Sequence, residues 1–245
     1  SSSWPARDRA TSTSCSEPPT LPDRLTVASV PRTAETAAVF PVPRAHQRLA
    51  DQIDGWLDLR CPDKALELLG PMLADEEARD AGLHLRVRAL VRLGRYHDAL
   101  PDLAELAKRH PEEPWVPLTV AFCLKRTGEL RHAITVLRAL LERDHRQALA
   151  HFNLACYLAL DGQRDAAIDA LTLACGLDAE HRLFARDEPD FDGLRTDPRF
   201  RQLVRTPGEV DAPLDDDLGE PHDLDDGDDH DEDDDTPPDR HSHRR

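Results

Sequence analysis

The sequence predicts an all-α protein, built as a solenoid of four helix-turn-helix repeats and a short helical cap between two disordered tails. The main observation is a period: Gly94, Gly128 and Gly162 are each 34 residues apart. Two further series keep this spacing, namely the alanines and leucines Ala65, Ala99, Ala133, Ala167, Leu69, Leu103, Leu137 and Leu171. A fixed period of this length is typical of repeat architectures, in which each unit packs on its neighbours. The low aromatic content, 4% of residues, also fits a helical body better than a sheet.

Residues 1–44 are predicted to be a disordered arm, rich in Ser, Thr and Pro. Prolines recur through this stretch and interrupt any helix. Apolar residues are too sparse to offset the entropy lost on ordering. The chain begins SSSWPARDRATS, without Met and without the apolar core of a secretory signal, so a trimmed signal is left open.

Residues 45–180 divide into four repeats, at about 46–79, 80–113, 114–147 and 148–181. In repeat one, the first helix (helix A) is indicated by the helical spacing of Leu49, Ile53 and Trp56. The second helix (helix B) is expected from about Asp63, with an apolar face made of Leu66, Leu69, Met72 and Leu73. Arg60 stands where the later repeats have their glycine, which makes this terminal repeat divergent.

Repeats two to four each have a glycine that lets the chain leave helix A through a left-handed residue. Pro111 ends helix B of repeat two, because proline has no backbone donor. Pro114 stands near the start of helix A in repeat three, where proline is tolerated. Repeat four is the most regular copy, and its characteristic residues are Leu154, Ala155, Leu158, Gly162, Ala167, Ile168 and Leu171.

Several of these residues resemble, in register, the pattern of the tetratricopeptide repeat (TPR) family. They are Gly94, Tyr96, Ala99 and Pro111 in repeat two and the pair Leu154 and Ala155 in repeat four. The resemblance covers about residues 46–204, two-thirds of the chain. It implies a right-handed TPR-like α-solenoid whose helices A line a concave surface.

Residues 181–206 are predicted to form a helical cap. Asp197 followed by Pro198 fits an N-cap and the first position of a helix. The stretch resembles the short closing element that follows bacterial TPR arrays, and the residues that carry the match are Leu194, Asp197, Pro198, Arg199 and Phe200. Such a cap would cover the apolar face of the last repeat.

Residues 207–245 are predicted to be a disordered acidic tail. They contain 3 Lys/Arg against 17 Asp/Glu, a net charge of −14. Like charges repel one another, and few apolar side chains are present to offset ordering.

The resemblance to TPR arrays also implies a binding surface, because their ligands usually lie at positions 2, 5, 9, 12 and 13 of each repeat. These positions hold His84, Arg88, Val91 and Arg92 in repeat two and Trp115, Leu118, Phe122, Lys125 and Arg126 in repeat three. In repeat four they hold Leu149, Phe152, Cys156, Ala159 and Leu160. We expect the peptide-binding groove to be formed by Arg88, Arg92, Trp115, Leu118, Phe122, Lys125, Arg126 and Phe152.

Aromatic side chains flanked by arginines suit a short peptide with an apolar anchor and acidic neighbours. The alternative is that Phe122 and Phe152 belong to the core between repeats and that the cations are ordinary solvated charges. The function expected is therefore a non-catalytic scaffold or adaptor that binds a partner peptide on the concave surface. The alternative function is a charge-based regulator, whose acidic tail binds a basic protein or competes for its own groove.

An enzyme is not expected, since no glycine-rich phosphate loop and no HExxH or GxSxG motif is present. No cofactor and no metal site is assigned: alignment of Gly227 with a calcium loop places His222 and Leu224 at ligand positions.

Cysteine usage favours a reduced, cytoplasmic compartment, because the five cysteines form no CxxC pair. No apolar run reaches the roughly 18 residues that a membrane span needs. The near-neutral body and the acidic tail disfavour binding to nucleic acid, because the tail would repel its phosphates. We expect a protein or peptide partner of unknown identity, and the oligomeric state is left open.

Overall fold

The computed structural model describes residues 40–205, which form a right-handed α-solenoid of paired helices. The helices of repeats one and two are α1 (Gln47–Asp58), α2 (Pro62–Leu68), α3 (Gly70–Ala74), α4 (Arg79–Arg92) and α5 (Tyr96–Arg109). Repeats three and four consist of α6 (Trp115–Arg126), α7 (Leu130–Arg143), α8 (Ala148–Leu160) and α9 (Arg164–Leu177). The cap consists of α10 (His181–Asp187), a 3₁₀ helix (Pro189–Leu194) and α11 (Pro198–Val204). The predicted acidic tail and residues 1–39 of the predicted arm lie outside the described residues.

The turns between helices A and B use left-handed backbone, as the glycine period predicts. Gly94, Gly128 and Gly162 have φ values of 71°, 87° and 79°. Arg60, at the equivalent place in repeat one, also adopts a positive φ of 55°. Left-handed backbone costs an L-residue about 1–2 kcal/mol. Repeat one therefore keeps the turn geometry although an arginine disfavours this conformation.

Helix B of repeat one is not the single helix that the apolar pattern predicts. It is divided into α2 and α3 at Leu69. Pro71 has no N–H to donate to a carbonyl one turn earlier, so the regular hydrogen-bond ladder cannot continue through it. The expected apolar face survives the break in part, because Leu69 and Met72 are both buried.

The close contact between the two helices of each repeat is made at fully buried small residues. Ala65, Ala99, Ala133 and Ala167 occupy the same position of helix B in the four repeats, and each is 0% exposed. The leucines four residues later are buried as well. The sequence period therefore identified the core positions correctly.

The apolar core consists of two clusters that meet at α6. Trp115 and Phe122 of this helix belong to the cluster formed with repeats one and two. Leu118 and Ala121 belong to the cluster formed with repeat four and the cap. Each repeat thus packs on its sequence neighbours, which is the arrangement expected of a solenoid.

The C-terminal cap buries three large side chains. Phe191, Leu194 and Phe200 are each 1% exposed or less, and they join the cluster that contains repeat four. The predicted N-cap is confirmed: the Asp197 carboxylate accepts a hydrogen bond from the Arg199 amide at 2.9 Å. Hydrogen bonds from the Arg199 side chain and amide lower the pKa of Asp197 to about 2.

The described chain begins inside the stretch that the sequence assigns to the arm. Phe40 is buried in the cluster of repeats one and two, although the predicted boundary of the arm is residue 44. Residues 41–45 are not buried, and the first helical turn is the 3₁₀ helix Arg44–His46. Within residues 40–205, every helix falls short of the length or the apolar character that crossing a bilayer requires.

Replacing the turn glycine of repeat three should destabilise the protein without any steric clash. We expect Gly128→Ala to lower the free energy of unfolding by about 1 kcal/mol, because alanine resists a positive φ. An added methyl group would meet no atom within 4 Å. The matched control is Gly176→Ala, which has the same free space in a helical position and should gain about 0.5 kcal/mol. Urea unfolding measures both; equal losses would contradict the backbone explanation.

Truncating Phe191 should destabilise the fold far more than truncating an exposed residue of the cap. We expect Phe191→Ala to cost about 3–5 kcal/mol, since the ring is completely buried. Leu183 on α10 is 51% exposed, so Leu183→Ala should change stability by less than about 0.5 kcal/mol. The comparison is made by urea unfolding of the two full-length variants. Similar small effects would show that the segment is not part of the folded unit.

Candidate functional site

The apolar residues predicted to form the groove are buried. Trp115, Leu118, Phe122 and Phe152 are 7%, 5%, 5% and 1% exposed, respectively. This is the alternative that the sequence left open for Phe122 and Phe152, in which both belong to the core between repeats. A ligand could reach these side chains only if the groups that cover them moved.

Phe152 is covered by the chain's own C-terminal segment. The Phe191 ring lies perpendicular to the Phe152 ring, with centroids 5.7 Å apart. Next to it, the Asp190 carboxylate accepts a hydrogen bond from Lys125, a predicted groove residue on α6. The 3₁₀ helix Pro189–Leu194 therefore places an aromatic anchor with an acidic neighbour on residues predicted to bind such a peptide.

Trp115 lies in an aromatic cluster that begins with Phe40. The His84 ring, on α4, stands edge-on to Trp115 with centroids 4.5 Å apart. Phe40 contacts the same histidine at 5.8 Å and His110 at 4.6 Å. A side chain from before the first repeat thus rests on position 5 of repeat two, which was predicted to line the concave surface.

Phe122 is covered by the neighbouring repeat. Its ring packs edge-on against Tyr96 at the start of α5, at 5.7 Å between centroids. The Arg126 guanidinium lies over the Tyr96 ring, 5.3 Å from its centroid. The aromatic residue that the family pattern places after the turn glycine therefore joins two repeats.

The predicted groove cations have different surroundings. The Arg88 side chain is 12% exposed and donates to Asp54 of repeat one at 2.5 Å. Lys125 is bound to Asp190, as described above. Arg92 and Arg126 are exposed. Two of the four cations are therefore held by carboxylates of adjacent elements, and the other two are exposed to solvent.

One exposed side chain per repeat belongs to the last residue of helix A. Asp58, Arg92, Arg126 and Leu160 occupy the same repeat position, and all four are exposed. We call these four residues the rim ladder. It carries a negative charge, two positive charges and an apolar side chain in chain order.

His84 is a strongly perturbed titratable group near this surface. Burial, with a smaller contribution from the positive charge of Arg88, lowers its pKa from 6.5 to about 3. Its Nε2 atom is buried and has no hydrogen-bond partner within residues 40–205. The ring is therefore neutral at physiological pH, with one polar atom unsatisfied.

The buried thiols of this region are poorly suited to nucleophilic catalysis. Burial raises the pKa of Cys123 to about 12. Burial and the nearby Glu188 and Asp190 raise the pKa of Cys156 well above its usual value. The reactive form of cysteine is the thiolate, so neither group is activated. Among residues 40–205, no cluster of three or more His, Cys, Asp or Glu side chains could hold a metal ion.

The repeat geometry agrees with comparisons to known proteins. The sequence profile described as "Tetratricopeptide repeat" matches residues 90–155, from α4 to α8. Residues 90–155 therefore form part of a tetratricopeptide repeat array. Among curated protein sequences, none matches it.

Solved structures support the TPR fold over about two-thirds of the chain. MamA from Desulfovibrio magneticus RS-1, from residue 41 to its end, aligns with a TM-score of 0.55 and 21% identity, over 67% of this chain and 92% of that one. A MamA RS-1 double mutant gives 0.53 and 19%, over 66% and 96%. A thermophilic TPR protein of Thermus thermophilus gives 0.51 and 21%, over 65% and 86%. At these identities, the likeness concerns the fold alone.

The sequence analysis missed the side chains that cover Trp115 and Phe152. Neither Phe40 nor the pair Asp190 and Phe191 was identified as part of the site. The sequence signals were weak, because Phe40 is a lone aromatic residue among prolines and Phe191 stands between acidic residues. Neither pattern reveals which distant repeat the side chain contacts.

His84 should make the TPR protein less stable in mild acid. Because the pKa is lower in the folded state, the unfolded chain binds the extra proton below pH 6.5, so stability present above that pH is lost as the pH falls. Between pH 6.5 and 5, this contribution amounts to about 2 kcal/mol. Urea unfolding across that range should show a shallower pH dependence for His84→Gln. The control variant His97→Gln alters an exposed histidine and should keep the wild-type slope; an identical slope for both variants would contradict the prediction.

Proposed function

We propose that this TPR protein is a non-catalytic scaffold that binds a partner peptide along the rim ladder of its concave surface. The observation that carries the proposal is the repetition of one exposed side chain per repeat at Asp58, Arg92, Arg126 and Leu160. TPR domains are in general protein-interaction modules. We place the bound peptide on the rim ladder because the chain itself covers the aromatic residues of the predicted groove.

The surroundings of Arg126 support a role in binding an acidic group. The Tyr96 ring supports its guanidinium, and among residues 40–205 no carboxylate is paired with it. A cavity of about 290 Å³ lies beside it, and its lining includes His97 and the ion pair of Arg95 with Asp98. An arginine held on an aromatic face keeps its N–H groups available for a carboxylate or phosphate.

The charge order of the ladder defines the partner that fits best. Acidic side chains of the peptide would lie opposite Arg92 and Arg126, and an apolar side chain would contact Leu160, which is 47% exposed. The neighbouring Lys125 and Asp190 contact shows that this part of the fold already accommodates a carboxylate. We therefore infer an extended acidic peptide that ends in an apolar residue.

Charge reversal on the ladder should weaken partner binding while the fold is unchanged. For the protein that co-purifies with the intact chain, Arg92→Glu and Arg126→Glu should each raise the Kd about tenfold or more in 0.15 M salt. Titration calorimetry with the purified partner measures the effect, and thermal unfolding checks the fold.

The matched control for these variants is Arg138→Glu, an identical charge change on an exposed residue of helix B. It should leave the Kd unchanged within about twofold, because it lies on a different helix face from the ladder. Equal weakening by all three variants would indicate a general charge effect and would contradict the rim ladder as the binding surface.

The acidic tail is the basis of a second candidate function, a charge-based regulator. The net charge of −14 over residues 207–245 favours it. As a competitor, the tail would lower the affinity of the ladder for an acidic partner; as a ligand, it would itself bind a basic protein. Both actions would weaken with salt, because exposed charges are screened over about 8–10 Å at physiological ionic strength.

Removing residues 207–245 separates these candidates. If the tail competes, partner affinity should rise several-fold at 50 mM salt and little at 500 mM. If the tail is the ligand, deletion should abolish binding to a basic partner, whereas Arg126→Glu should have no effect. Unchanged binding at both salt concentrations would show that the tail takes part in neither function.

A further inference from the structure

Phe40 binds to the TPR surface as a side chain of a peptide ligand would. It is the only side chain of residues 40–46 that is buried. Its ring contacts His84 of α4 and His110 at the end of α5. Trp115 of α6 lies on the same histidine from another direction. We call the site that His84 and His110 form at this ring, with Trp115 against His84, the Phe40 pocket.

The histidine that Phe40 contacts has a polar atom that a phenyl ring cannot satisfy. His84 is 3% exposed, and its buried Nε2 atom has no hydrogen-bond partner in the part of the chain that the structure describes. A buried polar atom without a partner is costly. A phenyl ring has no group that donates to nitrogen or accepts from it.

Release of Phe40 would leave the repeats intact. Residues 40–43 lie outside every helix, and the first regular helix begins at Gln47. Phe191, by contrast, is held between α10 and α11 in the middle of the cap. Opening at Phe40 therefore requires only local rearrangement of a chain segment, and such segments open at lower free energy than the core.

We propose that the Phe40 pocket is a docking site for an aromatic side chain of a partner peptide, with tyrosine as the preferred residue, and that Phe40 occupies it in the absence of the partner. The proposal rests on the proposed scaffold function and adds an aromatic anchor to the peptide. Tyrosine fits because its hydroxyl can donate to the imidazole nitrogen or accept from it. It can therefore satisfy His84 in either neutral tautomer, whereas tryptophan can only donate.

The charged groups near the pocket are consistent with a neutral anchor. Arg88 lies close enough to His84 to influence its titration, and its own guanidinium is bound to Asp54. On the other side, His110 is hydrogen-bonded to Asp80 at 2.6 Å. Arg88 and His110 therefore each have an acidic partner already. A charged side chain in the pocket would have no counterion to pair with.

The test uses full-length wild-type and Phe40→Ala proteins and three synthetic peptides. The first peptide, AAVFPVPRAH, copies residues 37–46; the other two, AAVYPVPRAH and AAVAPVPRAH, replace its phenylalanine by tyrosine or alanine. Phe40→Ala should bind the tyrosine peptide about tenfold more tightly than the phenylalanine peptide, since a satisfied buried hydrogen bond has about that effect. The alanine peptide should not bind. Val42→Ala, a change in the same segment, serves as the control and should behave as the wild type.

Wild-type protein should bind the same peptides at least tenfold more weakly than Phe40→Ala, because tethered Phe40 competes at an effective concentration in the millimolar range. Isotope-edited NMR of the His84 ring protons identifies the site. They should shift with the tyrosine peptide and not with the alanine peptide, and this wild-type titration decides the question if Phe40→Ala does not fold.

Two results would overturn the proposal. One is a folded Phe40→Ala protein that binds none of the peptides, or binds all three equally. The other is a wild-type protein whose His84 protons do not respond to millimolar tyrosine peptide. If these results occurred while partner binding still depended on Arg92 and Arg126, the docking site would be wrong and the rim ladder would stand.

Discussion

The contact of helix A with helix B at a fully buried alanine is the constraint on which the rest of the structure depends. Ala99, Ala133 and their counterparts are 0% exposed in all four repeats, which indicates that the paired helices approach closely. The left-handed residue at each turn, including Arg60, brings helix B back onto helix A. No single pair can bury its apolar faces alone, so each repeat needs a neighbour. Helix α6 shows this dependence directly, because its two faces belong to two different core clusters.

The same dependence explains why the chain covers its own concave surface. At the C-terminal end, repeat four has no further repeat to pack against, and the cap supplies Phe191 and Phe200 instead. At the N-terminal side, Phe40 performs a similar role near His84 and Trp115. The two coverings differ physically. Phe191 is fixed between two helices, whereas Phe40 lies at the edge of the described chain, outside any helix.

These coverings set limits on how the TPR protein can recognise another molecule. A deep aromatic groove is not open, and the buried, unactivated cysteines provide no catalytic group. What stays accessible is a row of side chains at the ends of the helices A, with Arg92 and Arg126 at its centre. Affinity at such a surface would come from charge complementarity and from a few anchors. In our proposal, the buried His84 nitrogen would determine the chemistry of one of these anchors.

The sequence by itself determined the repeat period, the turn positions, the buried alanines and leucines, and the N-cap of the last helix at Asp197. These features depend on backbone conformation and local periodicity, which a single repeat carries in its own residues. Only the tertiary structure decided that Phe122 and Phe152 are covered, that Lys125 is bound to Asp190, and that Phe40 belongs to the folded unit. Helical spacing shows which side chains share a face; it does not show which distant segment lies on that face, because that depends on packing between residues far apart in the chain.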